Sequence, residues 1–235
     1  MSANADVLRR SEMTGSRAWG TALPEVGLLG KDHWNPEYFA REQIRGLVRQ
    51  VFFAAGARPV KQVVFSAAEP DIDVAGICDQ VGRALALETH SDIAIVRREQ
   101  PQREMVRAHP HFGGGAGIKS RSSQIGINLW QIPEFEQQKC GEESGTGHCW
   151  LACLSDLRNE FEYAVIHGPV AGVSSEAALL GQLADGIILV LGARSTRKAS
   201  ARRIKETLLA AQCRILGTVL SERTFPVPER IYRRL

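Results

Sequence analysis

Val63-Val64-Phe65-Ser66-Ala67-Ala68-Glu69-Pro70-Asp71-Ile72-Asp73-Val74-Ala75-Gly76 is the stretch on which the fold is decided. It opens with a β-branched apolar run, the composition of a strand buried on both faces. A polar, proline-bearing turn follows. From Ala75 to about residue 88 the apolar residues return at helical spacing, closing on Arg83-Ala84-Leu85-Ala86. Strand, tight turn and helix in that order form the first half of a β-α-β unit.

The same alternation continues along the chain. Short apolar runs stand at Ile93–Val96, Ile125–Leu129, Tyr163–Ile166, Ile187–Leu191 and Ile215–Leu220. Helical patterns lie near 149–160, 175–183 and 197–212, and residues 99–124 read as mainly loop. Upstream, Asn35 and Pro36 suit a helix start. Ile44, Leu47, Val48, Val51 and Phe52 then form one apolar face, and Gly56 and Pro59 close the helix. The predicted fold is α/β: three layers, a mostly parallel sheet with helices on both faces. Ligands in such sheets bind at the C-terminal ends of the strands. The segments after Phe65, Val96, Ile166 and Leu191 are therefore the ones to inspect.

Three divisions are expected: a flexible arm at 1–33, a domain at 34–222, and a basic tail at 223–235 that could dock on a partner or an acidic lipid surface. The chain has 235 residues and a net charge of +3, too mild to argue for nucleic acid as a partner. No stretch approaches the ~20 apolar residues of a membrane span. Met1–Arg10 lacks a signal-peptide core, so a cytoplasmic chain with reduced cysteines is expected.

The first turn resembles the phosphate loop of the bacterial tyrosine autokinases of polysaccharide synthesis. More broadly it resembles the deviant-Walker P-loop ATPases of septum placement and partition. There the slot reads Ser-Ala-Glu-Pro-Gly-Glu-Gly-Lys-Ser-Thr, then a helix closing on Ala-Leu-Ala. Phe161-Glu162-Tyr163-Ala164-Val165-Ile166-His167-Gly168-Pro169-Val170 is similar to that family's Walker B stretch. Leu183–Val190 and Ile215–Leu220 are similar to its next and last strands. Glu42 and Arg45 match two positions of the kinases' Glu-x-x-Arg-x-x-Arg oligomerisation motif, with Val48 at the third. The resemblance spans roughly residues 36–235 and implies a P-loop NTPase-like fold.

It also implies a disarmed site. A working phosphate loop needs glycines for close backbone approach, a lysine on the β- and γ-phosphates, and a hydroxyl on Mg²⁺. Here Asp71 and Asp73 stand at the glycine positions, Val74 at the lysine and Ala75 at the hydroxyl. With Glu69 the turn is acidic. One carboxylate ~5 Å from a phosphate charge repels by about 3 kcal/mol at an effective dielectric of ~20. Arg97 and Glu99 fall near the family's second acidic pair, His167 at the Walker B aspartate, and Ser221 at the adenine-side asparagine. Histidine is a poor Mg²⁺ ligand.

The expectation is a non-catalytic, pseudo-kinase-like protein without a cofactor, serving exopolysaccharide or capsule synthesis or export. Its partners would be a membrane chain-length-determinant or export protein, or a second copy of itself. It would be cytoplasmic, with recruitment to the inner face of the membrane. Two alternatives stay open. One is an active ATPase or protein-tyrosine kinase using ATP·Mg²⁺, with Lys61 or Lys119 as an unusual lysine. The other is a membrane-recruited spatial regulator like the partition ATPases.

Other groups read as structural. Gly113–Ser120 looks like a phosphate loop, but Ile118 takes the glycine position before the lysine. Cys140, His148, Cys149 and Cys153 are of zinc-ligand type but lack a Cys-x-x-Cys spacing. Cys149 and Cys153 also suit the buried face of a helix. His109 and His111 read as surface histidines. Tyr232 is the single tyrosine in a tail where the kinases carry a cluster.

Overall fold

Leu47, Val48, Val51 and Phe52 are buried, as the helical spacing demands, on helix α1 (Pro36–Phe52). The computed structural model describes residues 36–54, 58–98, 117–133 and 146–222, with side chains from Tyr38 in α1 and from Trp150 in the third helix. The arm at 1–33, the tail at 223–235, Asn35, Gly56, Glu99, His109, His111, the glycines before Gly117 and Cys140 lie outside the described residues, as do the side chains of His148 and Cys149.

The order after α1 is β1 (Gln62–Ala67), α2 (Val74–Glu88), β2 (Ile93–Val96), a short 3₁₀ turn (Ile118–Arg121), β3 (Ser123–Gly126) and β4 (Leu129–Ile132). Then follow α3 (Thr146–Glu160), β5 (Tyr163–His167), α4 (Glu176–Leu183), β6 (Gly186–Gly192), α5 (Lys198–Ala210) and β7 (Ile215–Ser221). The strands lie in the order β3-β4-β2-β5-β1-β6-β7. All neighbours pair in parallel except β3 and β4. The predicted α/β class is therefore the observed one.

Side-chain alternation sorts the sheet into two faces. Val63, Phe65, Ile93, Ile95, Val165, Ile188 and Val190 pack with α1 and α2. Val64, Ala94, Val96, Ala164, Ile166, Ile187 and Leu189 pack with Trp150, Leu154 and Leu157 of α3, Leu180 of α4, and Ile204 and Leu208 of α5. Helix α2 lies unusually close to the sheet: a Cβ added at Gly82 would collide with Ile95.

Several sequence expectations are corrected. Ile125–Leu129 is not one buried strand. It is the tip of an antiparallel hairpin, with β3 ending at Gly126 and β4 starting at Leu129. Ile127 at the turn is 97% exposed. The reason is Asn128, whose side-chain amide donates to the carbonyls of Thr89 and Ser91 at 3.0 Å each and pins the turn to the end of α2. Nor are all strands buried on both faces. β3 is exposed throughout, and β7 exposes Thr218 and Leu220, because each is an edge strand. The loop predicted for 99–124 includes the 3₁₀ turn and the start of β3. Helix α3 begins at Thr146 rather than 149. Helix α5 stops at Ala210, and Gln212 takes a left-handed φ of 57°.

Candidate functional site

Parallel pairing carries the ends of β1, β2, β5, β6 and β7 to one edge of the sheet. The turn from β1 into α2 lies at the middle of that edge. Asp73 is the N-cap of α2, and its Oδ1 accepts from the Gly76 amide at 2.8 Å. Gly76 makes this possible, since a Cβ there would collide with the Asp73 carboxylate. Asp73 thus supplies, from the chain itself, a negative oxygen at the positive end of the helix.

The neighbours of Asp73 turn inward. Val74 is 2% exposed and Ile72 is 7% exposed, both within the core that holds Ala67 and Cys78. Asp71 faces solvent, while Glu69 and Ala75 are half-buried. The turn is also tied to those beside it. The buried Ser66 hydroxyl donates to the Pro169 carbonyl. Gly168 N donates to Phe65 O at 2.8 Å, Ala171 N to Ala67 O at 2.8 Å, and Ala68 N to Val190 O at 2.9 Å. Gly172 sits so close to the Ala68 carbonyl that an added Cβ would stand 2.6 Å from it.

Arg97, just past β2, donates to the Asp79 carboxylate on α2. Arg98 faces the other side and lies 3.7 Å from Glu176. His167, at the end of β5, is half-buried, and its Nδ1 meets no partner among the described residues. Burial pushes its pKa down, and the nearby Arg98 and Arg97 add to this while Asp73 opposes them. The imidazole is therefore held neutral. Because the folded state resists protonation, this group's effect on stability is felt as pH falls through the ordinary histidine value near ~6.5, where the unfolded chain takes up the proton first. Ser221 ends β7, and its carbonyl accepts from Ala193 N at 2.9 Å.

The fold therefore gathers Asp73, Arg97 and His167 at one edge, together with Asp79, Arg98 and Ser66, which the sequence reading did not single out. Arg98 adjoins Arg97 in sequence. Asp79 carries no sequence signal beyond its place on α2. Glu42 and Arg45 do not join this group. They pair with each other at 2.7 Å on the exposed surface of α1.

The two alternative lysines are at the opposite edge. Lys61 precedes β1 and pairs with Glu162 at 2.8 Å. Lys119 Nζ lies 2.6 Å from Asp92, which precedes β2, and 4.8 Å from the centre of the Trp130 ring. The Ile118 and Lys119 amides both donate to Glu160 at 2.7 Å. Lys119 holds the Asp92 carboxyl below its ordinary range, first through its hydrogen bond, with Trp130 helping. Among the described residues no group of His, Cys, Asp and Glu is placed to hold a metal ion. Cys153 is half-buried, and burial raises its thiol pKa. No described helix is long and apolar enough to cross a membrane.

The geometry defines a P-loop NTPase-like α/β domain, with its candidate site where such folds place their nucleotide. Neither a family model nor a curated protein sequence matches the chain. Solved structures do. The chimerical protein CapA2B2 is 18% identical with a TM-score of 0.61, over 76% of this chain and 83% of that one. The kinase domain of the Escherichia coli tyrosine kinase ETK is 13% identical with a TM-score of 0.59, over 80% and 79%. The Aquifex aeolicus cell-division protein MinD is 13% identical with a TM-score of 0.52, over 74% and 73%. The chain shares its fold with all three.

Proposed function

We propose that this chain is a non-catalytic, pseudo-kinase-like member of the bacterial tyrosine autokinase group, working as an interaction or regulatory partner in exopolysaccharide or capsule synthesis or export. Its partner on this reading is a membrane chain-length-determinant or export protein. The group is supported by the ordered motif resemblance and by a fold shared with the ETK tyrosine kinase domain.

One observation carries the loss of catalysis: the Asp73 carboxylate occupies the N-terminus of α2, and Val74, at the lysine position, is buried in the core. A phosphate arriving there would meet an acid already bonded to the helix amide, and a buried valine where the phosphate-loop lysine would stand. The active-site alternative is disfavoured by Lys61 and Lys119, both paired at the far edge. Calorimetric titration with ATP or ADP and Mg²⁺ tests the reading. No binding is expected below ~1 mM, where an intact site would hold nucleotide some thousandfold more tightly, near ~1 μM. Micromolar binding would refute it.

Self-association through α1 is part of the same proposal. Glu42→Lys with Arg45→Glu exchanges the charges but keeps the intrahelical pair, so the helix itself should tolerate it. In sedimentation velocity the wild type should run larger than a monomer and the exchanged variant as a monomer. A monomeric wild type sinks this part.

A further inference from the structure

Arg194, Arg197, Lys198, Arg202, Arg203 and Lys205 place six cations on α5 and the turn before it, against one acid, Glu206. All six are exposed, and among the described residues none is ion-paired. The whole chain carries only +3, so the rest of the protein, taken together, is net acidic. The clustering is costly within the helix, since like charges one turn apart repel.

The helix explains the arrangement. Ile204 and Leu208 fix the buried side. Lys198, Arg202, Lys205 and Leu209 then follow at i, i+4, i+7 and i+11, one stripe on the outer face. Leu209 is 51% exposed, an apolar side chain in line with the cations. We propose that this outer face of α5 docks the protein on an anionic lipid bilayer. Charge complementarity selects an acidic surface. An exposed apolar side chain in line with the cations favours a bilayer interface, which takes up both, over a phosphate backbone, which takes up only the cations. The proposal is independent of whether the nucleotide site functions.

Flotation of the full chain tests it, with vesicles of phosphatidylcholine alone or with ~30 mol% phosphatidylglycerol, enough to give an anionic surface. The chain is expected to float with the anionic vesicles only, and to be released by ~0.5 M NaCl as screening shortens the field. The triple variant R202E/R203E/K205E should lose at least tenfold of the binding, on the basis of ~1 kcal/mol per cation near such a surface. Its unfolding temperature should stay within ~2 °C of wild type, because the changed side chains are exposed. A second variant, R230Q/R233Q/R234Q, should still float. Failure of the wild type to float, equal binding to neutral vesicles, or flotation lost only in the second variant overturns the proposal. So does a duplex DNA of 20 base pairs that binds at the same salt while the vesicles do not.

Discussion

Asp185→Ala is expected to lower the unfolding free energy by about 3 kcal/mol, because one carboxylate closes the start of two strands. Asp185 Oδ2 accepts from the Lys61 and Gln62 amides at 2.8 Å each. Its Oδ1 accepts from Arg158 at 2.7 Å, and Arg158 Nε donates to Gln62 Oε1 at 2.9 Å. Gln62 is 1% exposed and donates onward to the Leu154 carbonyl at 2.8 Å. The network thus ties α3 to the point where β1 begins. The ion pair itself contributes little, since the Arg158 side chain is 46% exposed. Most of the loss comes from two main-chain amides left without an acceptor, at about 1–3 kcal/mol each. Thermal unfolding should fall by about 6–12 °C in a domain of this size. Asp185→Asn, which keeps one acceptor oxygen, should fall about half as far. A shift under ~2 °C for the alanine variant would show that water replaces the carboxylate at little cost.

The second large effect lies in the turn itself. Val74→Lys restores the residue type of a working phosphate loop, yet it should destabilise the protein by about 3 kcal/mol and bring no nucleotide affinity. Val74 is 2% exposed, among Ala67, Ile72 and Cys78. An ammonium there must shed its hydration or force the turn open. Asp73 offers no ready partner, since its carboxylate already holds the Gly76 amide. The matched control is Val74→Met, longer but uncharged, which should cost under ~1.5 kcal/mol. Thermal unfolding of both variants separates charge from size, and titration with ADP and Mg²⁺ reads the site. A lysine variant as stable as wild type that also binds ADP would mean the side chain points outward, and the buried reading of this turn would be wrong.

Much of the frame was legible from local chemistry. The runs at Val63–Phe65, Ile93–Val96 and Ile187–Leu191 are strands because β-branched residues pack well on a sheet covered on both sides. Asp73 was legible as a carboxylate at a helix start. The run at Ile125–Leu129 misled because apolar residues alternating with Gly126 and Asn128 resemble a strand. The hydrogen bonds that make Asn128 a turn go from its side-chain amide to the carbonyls of Thr89 and Ser91, more than thirty residues away in sequence. Edge and centre were hard to tell apart: β7 is only slightly less apolar than β6, yet β6 has a strand on each side and β7 has one.

At the site, residue types alone told which groups a triphosphate would miss, because charge, hydroxyl and glycine are properties of single positions. Whether Lys61 or Lys119 could stand in depended on which end of the sheet each occupies, and pairing with Glu162 and Asp92 puts both at the far end. Likewise Arg97 became a partner of Asp79, and α5 gathered its cations on one outer face, only once the chain had packed. Composition and periodicity act over a few residues and so decide elements. The arrangement of those elements rests on contacts between distant segments, and that is where the neighbours of each charge were decided.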